Sequence, residues 1–199
     1  MADKWEKWQK KLLCCRKCDL CLTRNQVVPA AGNRQAKIML LGEAPGAQED
    51  LTGKPFYGAA GQKLDNFLDQ IGLLRDDVYI SNLVKCRPVK PSVRGFTNRP
   101  PLRSEKEACQ QWLCQEMALL CPRLIITLGA VPLSFFVEKT PRMQDYHGRP
   151  FANKQLSAII FPLFHPAAVI YDPHKEAVYL EDLQKLRKML IAEDLMMEG

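Results

Sequence analysis

The chain has 199 residues, of which 47% are hydrophobic and 25% charged, and its formal net charge is +6. This composition excludes a disordered chain and suits one globular domain, which we expect to span residues 1–199. The amino-terminal segment lacks the apolar centre of a signal peptide, and no run approaches the roughly 18 apolar residues of a membrane helix. We therefore expect a cytoplasmic, intracellular protein that does not bind membranes.

The first motif in chain order is LLCCRKCDLC, residues 12–21, which contains four of the eight cysteines. In a reducing compartment, cysteines at CxxC spacing more often hold metal or do redox chemistry than form disulfides. No second CxxC follows among the remaining cysteines, which are Cys86, Cys109, Cys114 and Cys121. This spacing suits either zinc or an iron–sulfur cluster. The last two lie in an apolar, helix-like stretch, where we expect buried structural cysteines.

Four short apolar runs predict buried parallel strands. They are residues 37–42, 78–83, 124–129 and 156–164. Two amphipathic helices are also predicted, at 59–72 and from Lys175 to Ala192. Their apolar stripes consist of Leu64, Phe67, Leu68 and Ile71 in the first, and of Val178, Leu183, Leu186 and Leu190 in the second. Strands that alternate with helices predict an α/β fold, a three-layer α/β/α sandwich with a central four-stranded parallel sheet.

Polar residues stand at the ends of three predicted strands. Glu43 follows the first strand, Asn82 lies near the end of the second and His165 follows the fourth. Each has an ordinary structural explanation, but burying such a group without a partner costs roughly 1–3 kcal/mol. Because ligands of parallel sheets collect at the carboxyl ends of the strands, we expect these three side chains to share one site.

The excess positive charge lies in one segment, residues 85–104, which we call the basic arm. Its basic residues are Lys85, Arg87, Lys90, Arg94, Arg99 and Arg103. Without these six, the 28 basic residues fall to 22 and equal the 22 acidic ones. Four prolines and a glycine predict an extended loop there, not a helix. A long basic loop favours a polyanionic partner, with a merely solvated loop as the alternative.

Five motifs occur in order along the chain: GEAPGAQEDLTGKPFYGAAGQKLD, YISNLVKCRP, NRPP, LIITLGA and FHPAA. Together they resemble the type 4 uracil-DNA glycosylases of the uracil-DNA glycosylase superfamily, over roughly residues 14–170. The resemblance implies a monofunctional DNA repair enzyme acting on single- or double-stranded DNA. Such an enzyme flips uracil out, hydrolyses its N-glycosidic bond and leaves an abasic site. We expect it to act as a monomer.

The resemblance also implies a 4Fe-4S cluster held by Cys15, Cys18, Cys86 and Cys109. Cys14 or Cys21 in place of Cys15 is the alternative. The cluster would be structural, because it would fix the amino-terminal segment and both ends of the basic arm to the body of the protein.

In this family context the pocket residues acquire roles. The amide of Asn82 can accept a hydrogen bond from uracil N3–H and donate one to O4, which cytosine would not match. Phe56 would stack on the base, and His165 would hydrogen-bond O2 of the departing anion. Glu43 would lie near the base and exclude the thymine methyl group or orient water. Gly42 and Ala44 would complete the substrate-binding pocket beside these side chains.

Ala44 stands where the better-known branch of the superfamily carries a water-positioning aspartate. We therefore expect leaving-group stabilisation to dominate catalysis, with Glu49 or Asp50 in a minor role. DNA would be held by the basic arm, and apolar residues from Ala167 to Ile170 would wedge into the space that the base vacates. Two other classes remain alternatives: a metal-stabilised nucleic-acid binding module, and an iron–sulfur redox protein without glycosylase activity.

Overall fold

A six-stranded mixed sheet forms the centre of the molecule. The computed structural model describes residues 2–93, 95–138, 140–169 and 173–195. The strands are β1 (Ala31–Gly32), β2 (Ile38–Gly42), β3 (Val78–Asn82), β4 (Val89–Ser92), β5 (Gly95–Asn98), β6 (Leu124–Leu128), β7 (Phe151–Asn153) and β8 (Ala158–Leu163). The helices are α1 (Ala2–Leu13), α2 (Ala47–Thr52), α3 (Ala59–Ile71), α4 (Arg103–Leu120), α5 (Ala130–Leu133), α6 (Met143–Tyr146), α7 (Pro166–Val169) and α8 (Pro173–Ala192). Single 3-10 turns occupy Asp19–Leu22 and Arg75–Asp77.

The strand order of the sheet is β1-β3-β2-β6-β8-β7. The four predicted strands β2, β3, β6 and β8 pair in parallel, which confirms the predicted parallel core. The short strands β1 and β7 add an antiparallel edge on each side. These edges were not predicted because two or three residues are too few to show a strand period.

Helices cover both faces of the sheet, as the sequence predicts. On one face α3 buries its whole predicted stripe, and α8 buries Leu183, Leu186 and Leu190 against the same core. On the other face α1, α4 and α5 contribute Trp5, Trp112 and Leu133 to a second core cluster. None of the described helices is both long and apolar enough to cross a membrane.

The chain passes from β2 to its neighbour β3 and then crosses to the opposite side of β2 at β6. This reversal separates the loops that leave β2 and β6, and so opens a crevice at the carboxyl edge of the sheet. The loops after β2, β3 and β8 all begin at this edge. The topology therefore brings Glu43, Asn82 and His165 toward one place.

The basic arm contains a β-hairpin, where the sequence predicts an irregular extended loop. Strands β4 and β5 pair antiparallel, with Val89 opposite Asn98 and Ser92 opposite Gly95. Pro91 is tolerated because a two-stranded ribbon leaves edge positions without a ladder hydrogen bond. Gly95 has a φ of +107°, which favours glycine where the second strand begins.

Helix α4 exposes both Cys114 and Cys121, so the prediction that these cysteines are buried is wrong. The helix buries a different stripe, formed by Cys109, Trp112, Leu113, Glu116, Met117 and Leu120. Cys114 lies outside that stripe, and Cys121 ends the helix in a left-handed conformation.

Candidate active site

A pocket of about 310 Å³ opens at the carboxyl edge of the sheet. Its lining consists of Glu43, Ala44, Gly46, Glu49, Phe56, Asn82 and His165. The structure thus brings together five of the six residues that the sequence analysis assigns to substrate binding. The sixth, Gly42, pairs with Asn82 in the sheet and lies directly beside the pocket.

Gly42 leaves room for two of the pocket side chains. A methyl group at this position would clash with Oδ1 of Asn82 and lie 2.6 Å from Cζ of the Phe56 ring. The two side chains therefore converge over a bare stretch of backbone. Only glycine permits this close approach.

Phe56 is fixed in an unusual conformation at the side of the pocket. Its φ of +50° is in the left-handed region, which is uncommon for an aromatic residue. The Arg75 guanidinium donates to its carbonyl oxygen at 2.9 Å, and Gly61 has no side chain that would clash with that oxygen. The ring lies nearly parallel to that of His165, with centroids 6.4 Å apart and 19° between the planes. The backbone strain is thus supported by contacts that aim the ring into the pocket.

Two of the titratable side chains in the pocket, His165 and Glu43, have shifted pKa values. Burial lowers the pKa of His165, and the positive charge of Lys63 lowers it further, so the imidazole is neutral at pH 7. Burial raises the pKa of Glu43, and the nearby Lys106 partly opposes this shift. A neutral imidazole and a destabilised carboxylate therefore face the same space.

Glu49 has a structural role that the sequence analysis missed. Its buried carboxylate accepts hydrogen bonds from the backbone N–H groups of Gly46 at 3.1 Å and of Tyr57 and Gly58 at 3.2 Å. These bonds hold the loop before α2 to the loop that carries Phe56. A glutamate three residues after a helix N-cap is the available sequence signal.

Asp50 lies outside the pocket. Its buried carboxylate accepts hydrogen bonds from the backbone N–H of Asn25 at 3.0 Å and from the amide of the same residue at 2.6 Å. Asp50 therefore anchors the amino-terminal segment, and we withdraw it as a candidate for the minor catalytic role. Glu49 remains in the pocket lining.

Four cysteine side chains line a second, smaller cavity between the amino-terminal segment, the end of β3 and α4. They are Cys15, Cys18, Cys86 and Cys109, the same four that the family resemblance implies. The two alternative ligands lie elsewhere: Cys14 is exposed, and Cys21 does not line this cavity. Among the described residues no three His, Cys, Asp or Glu side chains are arranged to hold a single metal ion.

Nitrogen donors surround three of these sulfur atoms. The Arg24 guanidinium donates to Sγ of Cys86 at 3.0 Å, and the Trp112 indole donates to Sγ of Cys15 at 3.2 Å. The backbone N–H of Lys85 donates to Sγ of Cys109 at 3.3 Å. As free thiols Cys86 and Cys109 resist ionisation, because burial raises the pKa of Cys86 to about 11 and of Cys109 to about 12.

The prediction that Lys85 contacts DNA is wrong, because its side chain is only 1% exposed. Its ammonium lies 2.5 Å from the carboxylate of Glu116 and also donates to the Ser81 hydroxyl. Glu116 accepts further hydrogen bonds from Ser81 and from the Tyr79 hydroxyl, at 2.9 Å each. The result is a buried network between β3 and α4. Its members Ser81 and Lys85 are chain neighbours of Asn82 and Cys86, respectively.

The other basic residues of the arm differ in their surroundings. Arg99 pairs with Glu105 at 2.5 Å and donates to the Val89 carbonyl, so it fixes the foot of the hairpin. Arg103 is exposed and pairs with Glu107 one helical turn along α4. The remaining basic residues are Arg87, which donates to Asn98, exposed Lys90, and Arg94, which lies outside the described residues.

The predicted wedge after His165 is described in part. Ala168 is exposed, whereas Val169 is buried against the core and is not available to enter DNA. Ile170 and the side chain of Ala167 lie outside the described residues.

Comparisons with known proteins agree with this geometry. The family described as the Uracil DNA glycosylase superfamily matches residues 29–187. A type-4 uracil-DNA glycosylase of Sulfurisphaera tokodaii is 36% identical over 95% of this chain and 86% of its own length. Proteins of the same description from Pyrobaculum aerophilum and Thermotoga maritima are 40% and 37% identical, over 85% and 88% of this chain and over 86% and 89% of their own lengths. The chain therefore belongs to the uracil-DNA glycosylase superfamily and, within it, to the type-4 uracil-DNA glycosylases.

Proposed function

We propose that this protein removes uracil from DNA by hydrolysing the bond between the base and deoxyribose, and that residues 1–199 form a single glycosylase domain. The products are free uracil and an abasic site, with which base excision repair begins. The observation that carries this proposal is the pocket in which an amide, an aromatic ring and a neutral imidazole converge at Asn82, Phe56 and His165. A base inside the DNA stack cannot reach such a pocket, so the nucleotide has to be flipped out.

Base recognition follows from the Asn82 side chain. Its carbonyl oxygen can accept from N3–H of uracil while its NH₂ donates to O4. Cytosine presents an acceptor and a donor at these positions, so an amide held in the orientation that suits uracil would be left unpaired, at a cost of roughly 1–3 kcal/mol. The Phe56 ring would hold the plane of the base by stacking.

Leaving-group stabilisation would supply most of the rate enhancement. When the bond between C1′ and N1 breaks, its electron pair moves to the uracil ring and positive charge develops on the sugar. The neutral imidazole of His165 would donate a hydrogen bond to O2, where negative charge grows in the transition state. Water then adds to C1′ and loses a proton to the solvent, and the uracil anion takes up a proton from the solvent to leave as free uracil. Glu43 would lie beside the base and favour the cationic sugar or orient that water.

We assign a 4Fe-4S cluster to the four cysteines that line one cavity, Cys15, Cys18, Cys86 and Cys109. Four cysteine thiolates are the usual ligands of such a cluster, and N–H groups commonly donate hydrogen bonds to their sulfur atoms. Such donors face three of the four sulfurs here. When bound, the cluster would crosslink the amino-terminal segment, the end of β3 and α4. We assign it a structural role, because the cysteine cavity and the proposed uracil pocket have no lining residue in common.

The DNA backbone would be held by the basic residues of the arm other than Lys85. Exposed Lys90 would contact phosphates directly, whereas Arg87, Arg99 and Arg103 already have protein partners and would contact DNA from fixed positions. Arg94 remains a predicted contact. Such contacts position the duplex without reading its sequence.

The first test uses end-labelled oligonucleotides with a single uracil that is paired with guanine, paired with adenine or unpaired. Alkaline cleavage of the resulting abasic sites should occur at uracil, and not at thymine or cytosine controls. His165→Ala should lose most excision and keep DNA binding, because its target is the transition state. Excision that survives undiminished in His165→Ala would remove the imidazole from the mechanism. No excision by the iron-replete protein would overturn the proposed function.

A further inference from the structure

The hairpin β4–β5 stands beside the uracil pocket and exposes an aromatic side chain that the proposed mechanism does not use. We infer that Phe96 on this hairpin stacks on a DNA base next to the flipped uracil, and so holds the duplex open at the pocket. This inference rests on the proposed function and assigns a further substrate-positioning residue within it.

The strand register shows which face of the hairpin carries Phe96. Val89 pairs with Asn98 and Pro91 pairs with Phe96. Residues directly opposite in an antiparallel pair, and residues two apart in one strand, project from the same face. Phe96, Pro91 and Asn98 therefore share one face, and Lys90 lies on the other.

Asn98 shows that this face is turned toward the pocket. The side-chain nitrogen of Asn98 is 3.7 Å from the point where a side chain on Gly46 would begin, and Gly46 lines the pocket. The Arg87 guanidinium fixes the same amide by donating to its oxygen at 2.7 Å. Phe96 lies two residues from Asn98, about 7 Å along the strand. This span equals about two nucleotide steps, so Phe96 should meet a base one or two positions from the uracil.

The exposure of Phe96 and the rigidity of the hairpin suit such a contact. The Phe96 side chain is 55% exposed, although aromatic side chains usually bury most of their area. The foot of the hairpin is fixed, because Arg99 donates to the Val89 carbonyl at 2.9 Å and pairs with Glu105. Because the two strands of the hairpin are already paired, little backbone has to be ordered when the ring stacks on a base. The surrounding basic residues would attract the polyanion whose bases the ring contacts.

Three variants distinguish base stacking by Phe96 from a general loss of exposed apolar surface. They are Phe96→Ala, Phe96→Trp and, as a control, Leu74→Ala. Leu74 is also exposed but precedes β3, at the opposite edge of the sheet from the pocket. We expect Phe96→Ala to lower kcat/KM on duplex uracil DNA by roughly ten- to a hundred-fold, the measured range for one stacked base. Phe96→Trp and Leu74→Ala should stay close to the unmodified protein.

A matched change in the DNA identifies the contacted base. Tetrahydrofuran abasic analogues replace, one at a time, the first and second nucleotides on each side of the uracil. One of these substrates should reduce the activity of the unmodified protein to the level of Phe96→Ala and cause no further loss in that variant. Equal losses in both proteins at all positions would overturn the stacking contact.

The two proposals fail in different ways. If Phe96→Ala excises uracil at the full rate while the unmodified protein remains a uracil glycosylase, the stacking inference falls and the proposed function stands. If Phe96→Ala changes only the association state of the protein in sedimentation, with excision unaltered, Phe96 belongs to a protein contact and the inference is again overturned. If the unmodified protein excises no uracil, both proposals fail.

Discussion

At the scale of single residues, the absence of a side chain at Gly42 matters as much as the groups that surround it. Gly42→Ala would push the Asn82 amide and the Phe56 ring apart, because a methyl group cannot fit between them. We expect kcat/KM for uracil excision to fall by about 100-fold, the usual result of misplacing binding groups by about 1 Å. Single-turnover kinetics would measure the loss. A fully active Gly42→Ala protein would show that the pocket adjusts without cost.

Glu43 should lower the stability of the folded protein at neutral pH. Its pKa is raised by burial, so the folded state favours the protonated form. The free energy of unfolding is therefore highest at low pH, where the Glu43 carboxyl is protonated in both the folded and the unfolded state. It falls as the pH rises through the raised pKa, because the folded protein then has to hold a buried carboxylate. Glu43→Gln should therefore melt at a higher temperature than the unmodified protein at pH 7 to 8, and the difference should vanish below the unfolded pKa of about 4.3. An equal difference at all pH values would contradict this explanation.

At the scale of secondary-structure elements, α4 binds the amino-terminal segment and β3 through a single buried face. Cys109, Trp112 and Glu116 of this face contact the cysteine cavity and the Lys85 network. The helix therefore links the proposed cluster site to the strand that ends at Asn82.

The buried ion pair Lys85–Glu116 connects the end of β3 to α4, and its contribution to the stability of the fold can be predicted. Lys85→Met would leave the Glu116 carboxylate buried without its cation, at a cost of about 3–5 kcal/mol in the free energy of unfolding. Urea denaturation would measure the change. Adding Glu116→Leu to the same protein should restore much of the loss, and the exposed control Lys90→Met should change stability by less than about 0.5 kcal/mol. A small effect of Lys85→Met alone would mean that water reaches the site.

The cysteine cavity makes a separate prediction about metal. Cys86→Ala should lose iron and the broad visible absorbance of an iron–sulfur protein, because the cavity would have only three thiolates. Cys21→Ala is the matched control, since the sequence offers Cys21 as an alternative to Cys15 but Cys21 does not line the cavity. An unchanged iron content in Cys86→Ala, or loss of iron in Cys21→Ala, would require a different ligand set.

The secondary-structure elements also show which features of the fold can be predicted from sequence patterns. The four parallel strands and the α3 stripe were predictable, because periodicity is a local property of the chain. Lys85 was assigned to DNA because its neighbours are basic, but its partner Glu116 follows 31 residues later on another element. Cys114 looked buried because α4 is apolar in composition, whereas burial depends on which face meets the sheet. The hairpin depends on the pairing of β4 with β5, which the prolines concealed.

At the scale of the whole molecule, the charge of the basic arm is partly neutralised by α4. Glu105, Glu107 and Glu116 pair with three of the six basic residues that appear unbalanced in the sequence. Lys90 is exposed on the hairpin and remains the clearest candidate for a phosphate contact. The sequence therefore located the basic segment correctly but overstated the number of its charges that are available to DNA.

This distribution predicts the salt dependence of DNA binding. Lys90→Ala should reduce the slope of log K against log salt by about 0.9, the value for one phosphate contact, and should do so for any DNA sequence. Arg103→Ala should change the slope less, because Arg103 already pairs with Glu107. Fluorescence anisotropy at several salt concentrations would measure both slopes. Equal slopes for Lys90→Ala and the unmodified protein would exclude a Lys90–phosphate contact.

The candidate site itself was more predictable than its supports. Polar residues at the ends of apolar strands can be recognised from the sequence alone, as they were for Glu43, Asn82 and His165. The roles of Glu49, Gly61 and Arg75 depend on backbone groups of other loops, which no local pattern reveals. Asp50 and Glu49 are neighbours in the chain but face different surroundings, so only the fold distinguishes them.

The strand order determines how the protein loses activity when it is heated. Strand β6 lies between β2 and β8, so the loops that carry Glu43 and His165 face each other only while three consecutive strands remain paired. The residues that line the pocket are spread from Glu43 to His165, so no short segment of the chain contains a complete pocket. Activity therefore behaves as a cooperative property of the entire sheet, and inactivation by heat should report global unfolding, not the melting of one loop.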